Sequence, residues 1–430
     1  MIHAHATRYN VGDDAIVIAA HDLLRRHLPG GDVEVLDITR DRLERPGEPI
    51  VGFLPLYEMH RVRYWPRIVA ELLRADLLLI GGGELIGGSV EFPGLALLAA
   101  AAGVPVLYFG VGANMSAAST LGRAYTRLAL RSAARIVLRD GGARHELEAL
   151  HVRPDRVVVA ADVVFSLRRP QHPQGDVPPA MPATRHRVGV SIRQLPDREG
   201  GDHYRILAAA LDRVAEVCDA TLVLLPFLGE DSPFETSGGG RSRETDLAAL
   251  RRCRSLMTRV DRVVLYEGDR DPRRLLEVMS GLDAMIAMRL HASVLALVAG
   301  VMPVAISYAP KVRRVLETAG VVNTVVETDA VTPDRLASLT RAVLARGPGC
   351  TVDVERIQHL RALAELNGTA MAAVVAKRRA LRIVTRSLRI PLVIGMLALH
   401  YAVTAYAASD SPILRKLGAA FRSSRTGAGR

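Results

Sequence analysis

Segments that read as strands alternate with segments that read as helices along most of this chain. That order constrains the fold more than any other feature. A strand, a helix and a further strand close most readily as a parallel sheet covered on both faces. In the first half, Ile2 to Ala6 reads as a strand, Asp14 to His27 as a helix and Val33 to Ile38 as a strand. Residues 68–74 follow as a helix, and 76–80 as a buried strand running into Gly81-Gly82-Gly83. Residues 92–102 are helical, and 104–109 form a strand running into Gly110-Val111-Gly112. A helix over 121–133, a strand over 135–138 and a helix over 142–150 complete this half. The Pro-rich stretch 168–187 breaks the pattern and reads as a linker. Beyond it come strands over 188–192, 221–226 and 263–266, with helices over 204–218, 246–259 and 273–280. The polar, Gly-rich segment 229–243 reads as a mobile loop. The expectation is an α/β chain of two similar sheets facing a cleft: residues 1–167, a linker over 168–187, residues 188–375, and a basic, partly apolar tail over 376–430.

The stretch from Met279 to Arg314 carries the most chemistry. A short apolar strand, Ala284 to Ala287, ends at Met288-Arg289-Leu290-His291. An apolar helix follows, then Gly300, Pro303 and a second strand over Val304 to Ser307. In an open parallel sheet, ligands bind at the carboxyl ends of the strands, where helix N-terminal amides attract anions. Arg289 adds a bidentate fork for phosphate or carboxylate. His291 adds a group that moves protons near neutral pH. An anionic substrate and proton chemistry are therefore expected in one place.

Other strand ends carry candidates of the same kind. Arg193 ends the strand over 188–192; it is either an exposed arginine or, paired with Arg289, half of a two-arginine clamp for a phosphorylated acid. Lys311, the only lysine outside the tail, lies just past the strand after the Arg-Leu-His turn; it is either a phosphate contact or a surface lysine. Asn10-Val11-Gly12-Asp13-Asp14 follows the first strand. It reads either as a capped turn or as a cleft element with Gly12 close to a ligand and Asp13 near an acceptor hydroxyl. Gly82, Gly83 and Glu84 form either an amide-lined ligand loop or a packing turn, and Gly112-Ala113-Asn114 repeats the theme. Neither glycine run is the dinucleotide fingerprint. Arg139-Asp140 reads as an ion pair or cap, and Asp162 is either structural or ligand-facing.

Net charge is informative only once located. Residues 377–430 hold eleven Lys or Arg against one acid, Asp410, so they carry +10 of the chain's +11. A nearly neutral body is not the profile of a nucleic-acid binder. Cys218, Cys253 and Cys350 have no metal spacing and are odd in number, which points to a reducing compartment. No signal peptide is visible. Arg378, Arg382, Arg386 and Arg389 share one helical face, and Ile390 to Ala408 follows without a charged residue. That run is expected to lie as an interfacial helix on an anionic membrane; packing on the body and spanning the bilayer are the other readings. A cytoplasmic protein, peripheral at the inner face of the cell membrane, is expected.

Taken in order, NVGDDAI (10–16), GGGELIGG (81–88), FGVGANM (109–115), LRDGGARHELEAL (138–150), DVVF (162–165), VGVSIR (188–193) and the segment 280–312 resemble the polysaccharide pyruvyl transferase family. The resemblance implies two Rossmann-like domains, similar to GT-B glycosyltransferases, with the site between them. It implies transfer of a pyruvyl unit from phosphoenolpyruvate to sugar hydroxyls of a polysaccharide or its lipid-linked precursor, giving a pyruvate ketal. Phosphoenolpyruvate is then a donor substrate, and no cofactor or metal is implied. By the same resemblance, Arg193 and Arg289 hold carboxylate and phosphate, Leu290 lies between the two motif residues, and His291 is the general acid. Asp13 or Glu84 is left to take the acceptor proton. The chain departs from the family pattern at Gly141-Gly142, where a Ser is frequent, and at Ala309, where an acid often precedes Pro-Lys. Competing expectations are a GT-B glycosyltransferase using a nucleotide sugar and a non-catalytic sugar-binding or membrane-scaffold protein.

Overall fold

In the computed structural model, described for residues 2–5, 10–28, 35–37, 50–53, 62–87, 90–116, 118–169, 184–194, 202–228, 245–346, 353–379 and 389–408, the alternation resolves into two all-parallel sheets. The first contains β1 (Ile2–His5), β2 (Val35–Asp37), β3 (Ile50–Phe53), β4 (Leu78–Gly81), β5 (Val106–Val111), β6 (Arg135–Leu138) and β7 (Val157–Val159), in the spatial order β3-β2-β1-β4-β5-β6-β7. The second contains β8 (His186–Ser191), β9 (Ala220–Leu224), β10 (Val263–Leu265), β11 (Ala284–Ala287), β12 (Pro303–Ser307) and β13 (Val325–Glu327), in the order β10-β9-β8-β11-β12-β13. Every residue of β4, β5, β9, β11 and β12 is buried, as parallel strands covered on both faces must be. β3, β7 and β13 are additional to the strands read from sequence; each is a short edge or near-edge strand with too few residues to show a period. The expected linker over 168–187 overlaps β8 by its last two residues, and its centre, like the expected loop over 229–243, lies outside the described residues.

Each sheet reverses its winding once, between β1 and β4 in the first and between β8 and β11 in the second. Crevices form where neighbouring strands send their connections to opposite faces. The first crevice receives the start of helix α1 (Val11–His27) and the loop after β4; the second receives Arg193 and the start of helix α9 (Leu290–Ala299). α1 begins at Val11, ahead of the expected Asp14, because Asn10 adopts an extended backbone and its carboxamide accepts from the Gly12 amide at 3.0 Å. Val11 through Leu24 is largely buried, and Ile16, Ile18, Leu23 and Leu24 are almost fully enclosed. Burying one such side chain contributes about 1.5–3 kcal/mol. The Val11 amide donates to the Phe227 carbonyl at 3.0 Å, and Asn10 bridges Leu228, so the second half closes over the head of α1.

Helix α12 (Val354–Arg379) departs from the expected division of the chain. The boundary at 375/376 falls inside it, and its body lies against the first half. Glu365 pairs with Arg26 and His27 of α1, and the Asn367 amide donates to the carbonyls of Ala161 and Ala364. At its start, Arg356 packs over Gly320 of the second half. The helix is a strut joining both halves.

Helix α13 (Ile390–Ala408) is also placed differently from a free interfacial helix. It packs on helix α3 (Glu91–Ala101) and touches helix α2 (Trp65–Arg74), burying Val393, Leu397 and His400. Among the described residues no helix is long and apolar enough to cross a membrane. The His400 ring lies over Gly94, with Nδ1 3.2 Å from the Tyr125 hydroxyl of helix α4 (Thr120–Ser132). A Cβ at Gly94 would stand 2.1 Å from His400 Nδ1. Gly94→Ala, ordinarily favourable within a helix by about 0.5–1 kcal/mol, is therefore expected to lift α13. Hydrogen exchange should become faster over residues 390–405 while both sheets stay protected.

Candidate active site at the interdomain cleft

The turn after β11 sets the geometry. The Met288 amide donates to the Ser191 carbonyl at 2.8 Å, holding the ends of β8 and β11 side by side. Arg289 takes the cap position of α9 with an extended backbone and makes no side-chain cap, so the first-turn amides lack that acceptor. Leu290 turns into the core, 5 % exposed, and its two neighbours, Arg289 and His291, flank the cleft.

Arg289 is locked in place. Its Nε donates to Asp246 Oδ2 at 2.9 Å and its Nη2 to Oδ1, a bidentate pair on a fully buried carboxylate at the start of helix α7 (Asp246–Ser255). Burial pushes the Asp246 carboxyl above its ordinary pKa, with Arg289 and Arg193 acting in the opposite direction. Burial likewise works against the Arg289 charge, but Asp246, Tyr308 and Asp13 outweigh it and raise its pKa. Asp13, in the first turn of α1, thus faces the same guanidinium from the other half. Neither Asp246 nor Tyr308 was singled out from sequence. Asp246 reads as an ordinary helix start after the Thr245 cap, and only the fold shows it to be the anchor for Arg289.

Arg193 stands differently. Its guanidinium stacks on the Tyr308 ring at 4.5 Å, its Nε donates to the Gln194 carbonyl at 3.3 Å, and it forms no ion pair among the described residues. Lys311, in helix α10 (Pro310–Thr318), lies 5.9 Å from the same ring and 3.4 Å from Glu84 Oε2. Arg314 meets the other Glu84 oxygen at 3.5 Å. Glu84 and Lys311 therefore join the two halves across the cleft.

His291 lies at the centre. Its Nε2 is buried, 3.5 Å from Asp162 Oδ2, and its Nδ1 lies over Gly12, where a Cβ would come within 2.4 Å. Asp162 also accepts from the Val164 amide and lies 3.6 Å from Arg139 Nη1. Burial works to raise the Asp162 pKa, but His291, Arg139 and the Val164 amide together hold it below the ordinary carboxylate value. Nε2 of His291, Oδ2 of Asp162, Nε of Arg139, Oδ2 of Asp140 and Nε of Arg314 are buried with no close hydrogen bond among the described residues. Ion pairs of 3.5–3.9 Å link these residues instead, and such a loosely tied cluster of buried charge is unlike a packing core.

The glycine loops serve the scaffold more than the ligand. Gly82 donates to the Phe109 carbonyl at 2.8 Å, Gly83 accepts from Gly112, and both adopt positive φ. A Cβ on Gly82 would stand 2.1 Å from Ile16, so this glycine lets α1 pack onto the end of β4. Asn114 is turned locally, its carboxamide oxygen accepting from the Ser116 hydroxyl at 2.7 Å. Among the described residues the side chain of Asn114 bonds only to Ser116, whereas Gly12, Asp13, Glu84, Arg193, Arg289, His291 and Lys311 gather at the cleft. Cys218 and Cys253 are buried free thiols, and Cys350 lies outside the described residues.

Two stability effects follow. Arg289→Ala leaves Asp246 buried and unpaired and is expected to lower unfolding free energy by about 3–5 kcal/mol in chemical denaturation. Asp162 has a lowered folded pKa, so its ionised form stabilises the native state above its unfolded pKa of about 3.9. That contribution disappears as pH falls through the lowered value. Asp162→Asn should thus be less stable than wild type at neutral pH, with the gap closing below about pH 4.

Comparisons with known proteins agree with this architecture. HepE of Anabaena, solved in complex with UDP-glucose, matches with a TM-score of 0.55 at 14 % identity, over 88 % of this chain and 99 % of its own. The UDP-GlcNAc 2-epimerase of Neisseria meningitidis, bound to UDP-GlcNAc, matches with a TM-score of 0.54 at 13 % identity, over 86 % of this chain and 98 % of its own. That of Methanocaldococcus jannaschii gives 0.55 at 8 % identity, over 85 % and 98 %. At these identities the likeness is one of fold: two Rossmann-like domains arranged as in GT-B enzymes. No curated protein sequence matches the chain significantly. The polysaccharide pyruvyl transferase profile matches residues 10–310, from the residue that caps α1 to the first residue of α10, and the chain belongs to that family.

Proposed function

We propose that the chain transfers the pyruvyl unit of phosphoenolpyruvate to two hydroxyls of a glycan, forming a pyruvate ketal and releasing inorganic phosphate. The observation that carries this reading is the gathering of Arg193, Arg289, His291 and Lys311 at the ends of β8, β11 and β12: His291 and Arg289 meet the head of α1, while Arg193 and Lys311 flank the Tyr308 ring. Membership of the family supports it.

Arg193 is the principal anchor for the anionic donor, since among the described residues it makes no direct ion pair, feels Asp246 only through space, and has its plane held by Tyr308. Arg289, rigid on Asp246, offers its remaining donors to the same anion. Lys311 exchanges Glu84 for phosphate oxygen as the donor enters. His291, as the imidazolium, gives a proton to the methylene carbon of phosphoenolpyruvate. The double bond's electron pair forms the new C–H bond, and C2 becomes an oxocarbenium-like centre. One glycan hydroxyl attacks C2 and loses its proton; the C2–O bond to phosphate breaks; the second hydroxyl closes the ketal and loses its own. One hydroxyl proton restores His291 and the other leaves with phosphate or solvent. Nε2 is buried against Asp162, so Nδ1 is the nitrogen that serves the substrate, with Asp162 as its positioning residue. Asp13, in the first turn of α1 and facing Arg289 from the first half, is the acceptor-side carboxylate.

A glycosyl transfer from a nucleotide sugar is the competing reading, supported by fold neighbours solved with UDP or UDP-sugars. Phosphate release from phosphoenolpyruvate that requires a glycan acceptor supports pyruvyl transfer; binding of UDP with no donor titration by phosphoenolpyruvate overturns it. His291→Ala should lower turnover by about 10²–10⁴-fold while donor binding persists. Arg193→Ala should instead weaken donor binding by roughly 10–100-fold, read by titration calorimetry. Gly12→Ala, which drives a methyl into the His291 ring, should cut turnover in a protein that still folds; unchanged turnover would exclude His291 from the chemistry.

A further inference from the structure

The outward face of α13 is exposed and apolar. Leu392, Ile394, Leu399 and Tyr401 are 60 %, 46 %, 45 % and 49 % exposed, and no charged residue occurs from Ile390 to Ala408. The inward face is already used, with Val393, Leu397 and His400 buried on the first half. Around this helix basic side chains outnumber acids. α2 exposes Arg67 and Arg74, the latter 3.9 Å from Glu71, α3 exposes Glu91, and α4, which contains no acid, exposes Arg127 and Arg131. In the sequence, six Lys or Arg and no acid fill residues 377–389, and five follow over 409–430 against Asp410.

We propose that this face docks on an anionic lipid bilayer. Leucine and tyrosine side chains enter the boundary between headgroups and acyl chains, and the flanking arginines meet anionic headgroups. A second copy of the chain is the other obvious occupant. An isologous contact through this ridge would set the basic flanks of one copy near those of the other, whereas an anionic surface complements them. The direction of the helix fits a membrane task. Arg389 lies over Gly103, beyond the end of α3, and His400 lies over Gly94, near its start. α13 therefore runs antiparallel to α3, and its later turns approach the edge of the sheet that carries Gly81–Gly83 and the cleft. Docking there brings the cleft close to an acceptor carried on a lipid. The surface itself does not depend on which donor is used.

The test is flotation of the full chain with vesicles of phosphatidylcholine alone and of phosphatidylcholine mixed with phosphatidylglycerol. Binding to the mixed vesicles, weakened by added salt and absent from the neutral ones, is expected. The double variant Leu392→Glu/Leu399→Glu should lose that binding by more than about tenfold, with unchanged circular dichroism and donor binding. No binding to anionic vesicles overturns the proposal, as does equal binding by the double variant. So does a wild-type dimer in sedimentation that the double variant turns into a monomer.

Discussion

The contact between Gly12 and the His291 ring is the constraint on which the rest of the molecule depends. It fixes the distance between the two switch points, because any side chain at Gly12 would occupy the volume of the imidazole. Around it, the amides that a helix start normally offers to a ligand are already used: Val11 donates to Phe227, Gly12 to the Asn10 side chain, and Asp13 to the Asn10 carbonyl. The head of α1 is thus a structural pivot. The opposite wall is the more open one: α9 starts without a side-chain cap, and Arg193 makes no direct ion pair among the described residues.

The charges of the cleft are nearly balanced, and this shapes what the site can do. Arg289 has Asp246, Lys311 and Arg314 share Glu84, and Arg139 sits between Asp140 and Asp162. Such pairing holds buried charges in fixed positions at the cost of muting their field. The ion-pair separations at Glu84, Asp140 and Asp162, from 3.4 to 3.9 Å, are longer than good hydrogen bonds. These groups are therefore held more loosely than the short bidentate Arg289–Asp246 pair.

Much of the fold was legible because parallel strands buried on both faces leave continuous apolar runs, as in Leu77–Ile80, Val104–Phe109 and Ala284–Ala287. Arg193, Arg289 and His291 were legible for a related reason: strand ends are where such sheets place chemistry. What sequence could not show depends on partners far away in the chain. The need for glycine at position 12 comes from a ring on α9, and the fixed pose of Arg289 comes from Asp246 on α7. Asn114 reads like a ligand residue but is spent on a local turn with Ser116. The last helix read as a separate membrane element because its charge-free run hides the difference between a face that packs and a face that does not.

α12 gives the two halves a particular mechanical relation. In chain order the second half begins at β8, and the chain returns to the first half along α12 itself. The start of this helix touches Gly320, while farther along it grips α1 and the segment over 161–167. With one end of the rod on each half, sliding of the halves is opposed and rotation about the rod is the less hindered motion. The Glu84 contacts with Lys311 and Arg314 then act as a clasp at the mouth. Opening the cleft by that rotation must part this clasp, so the two ion pairs at Glu84 set the resistance to opening.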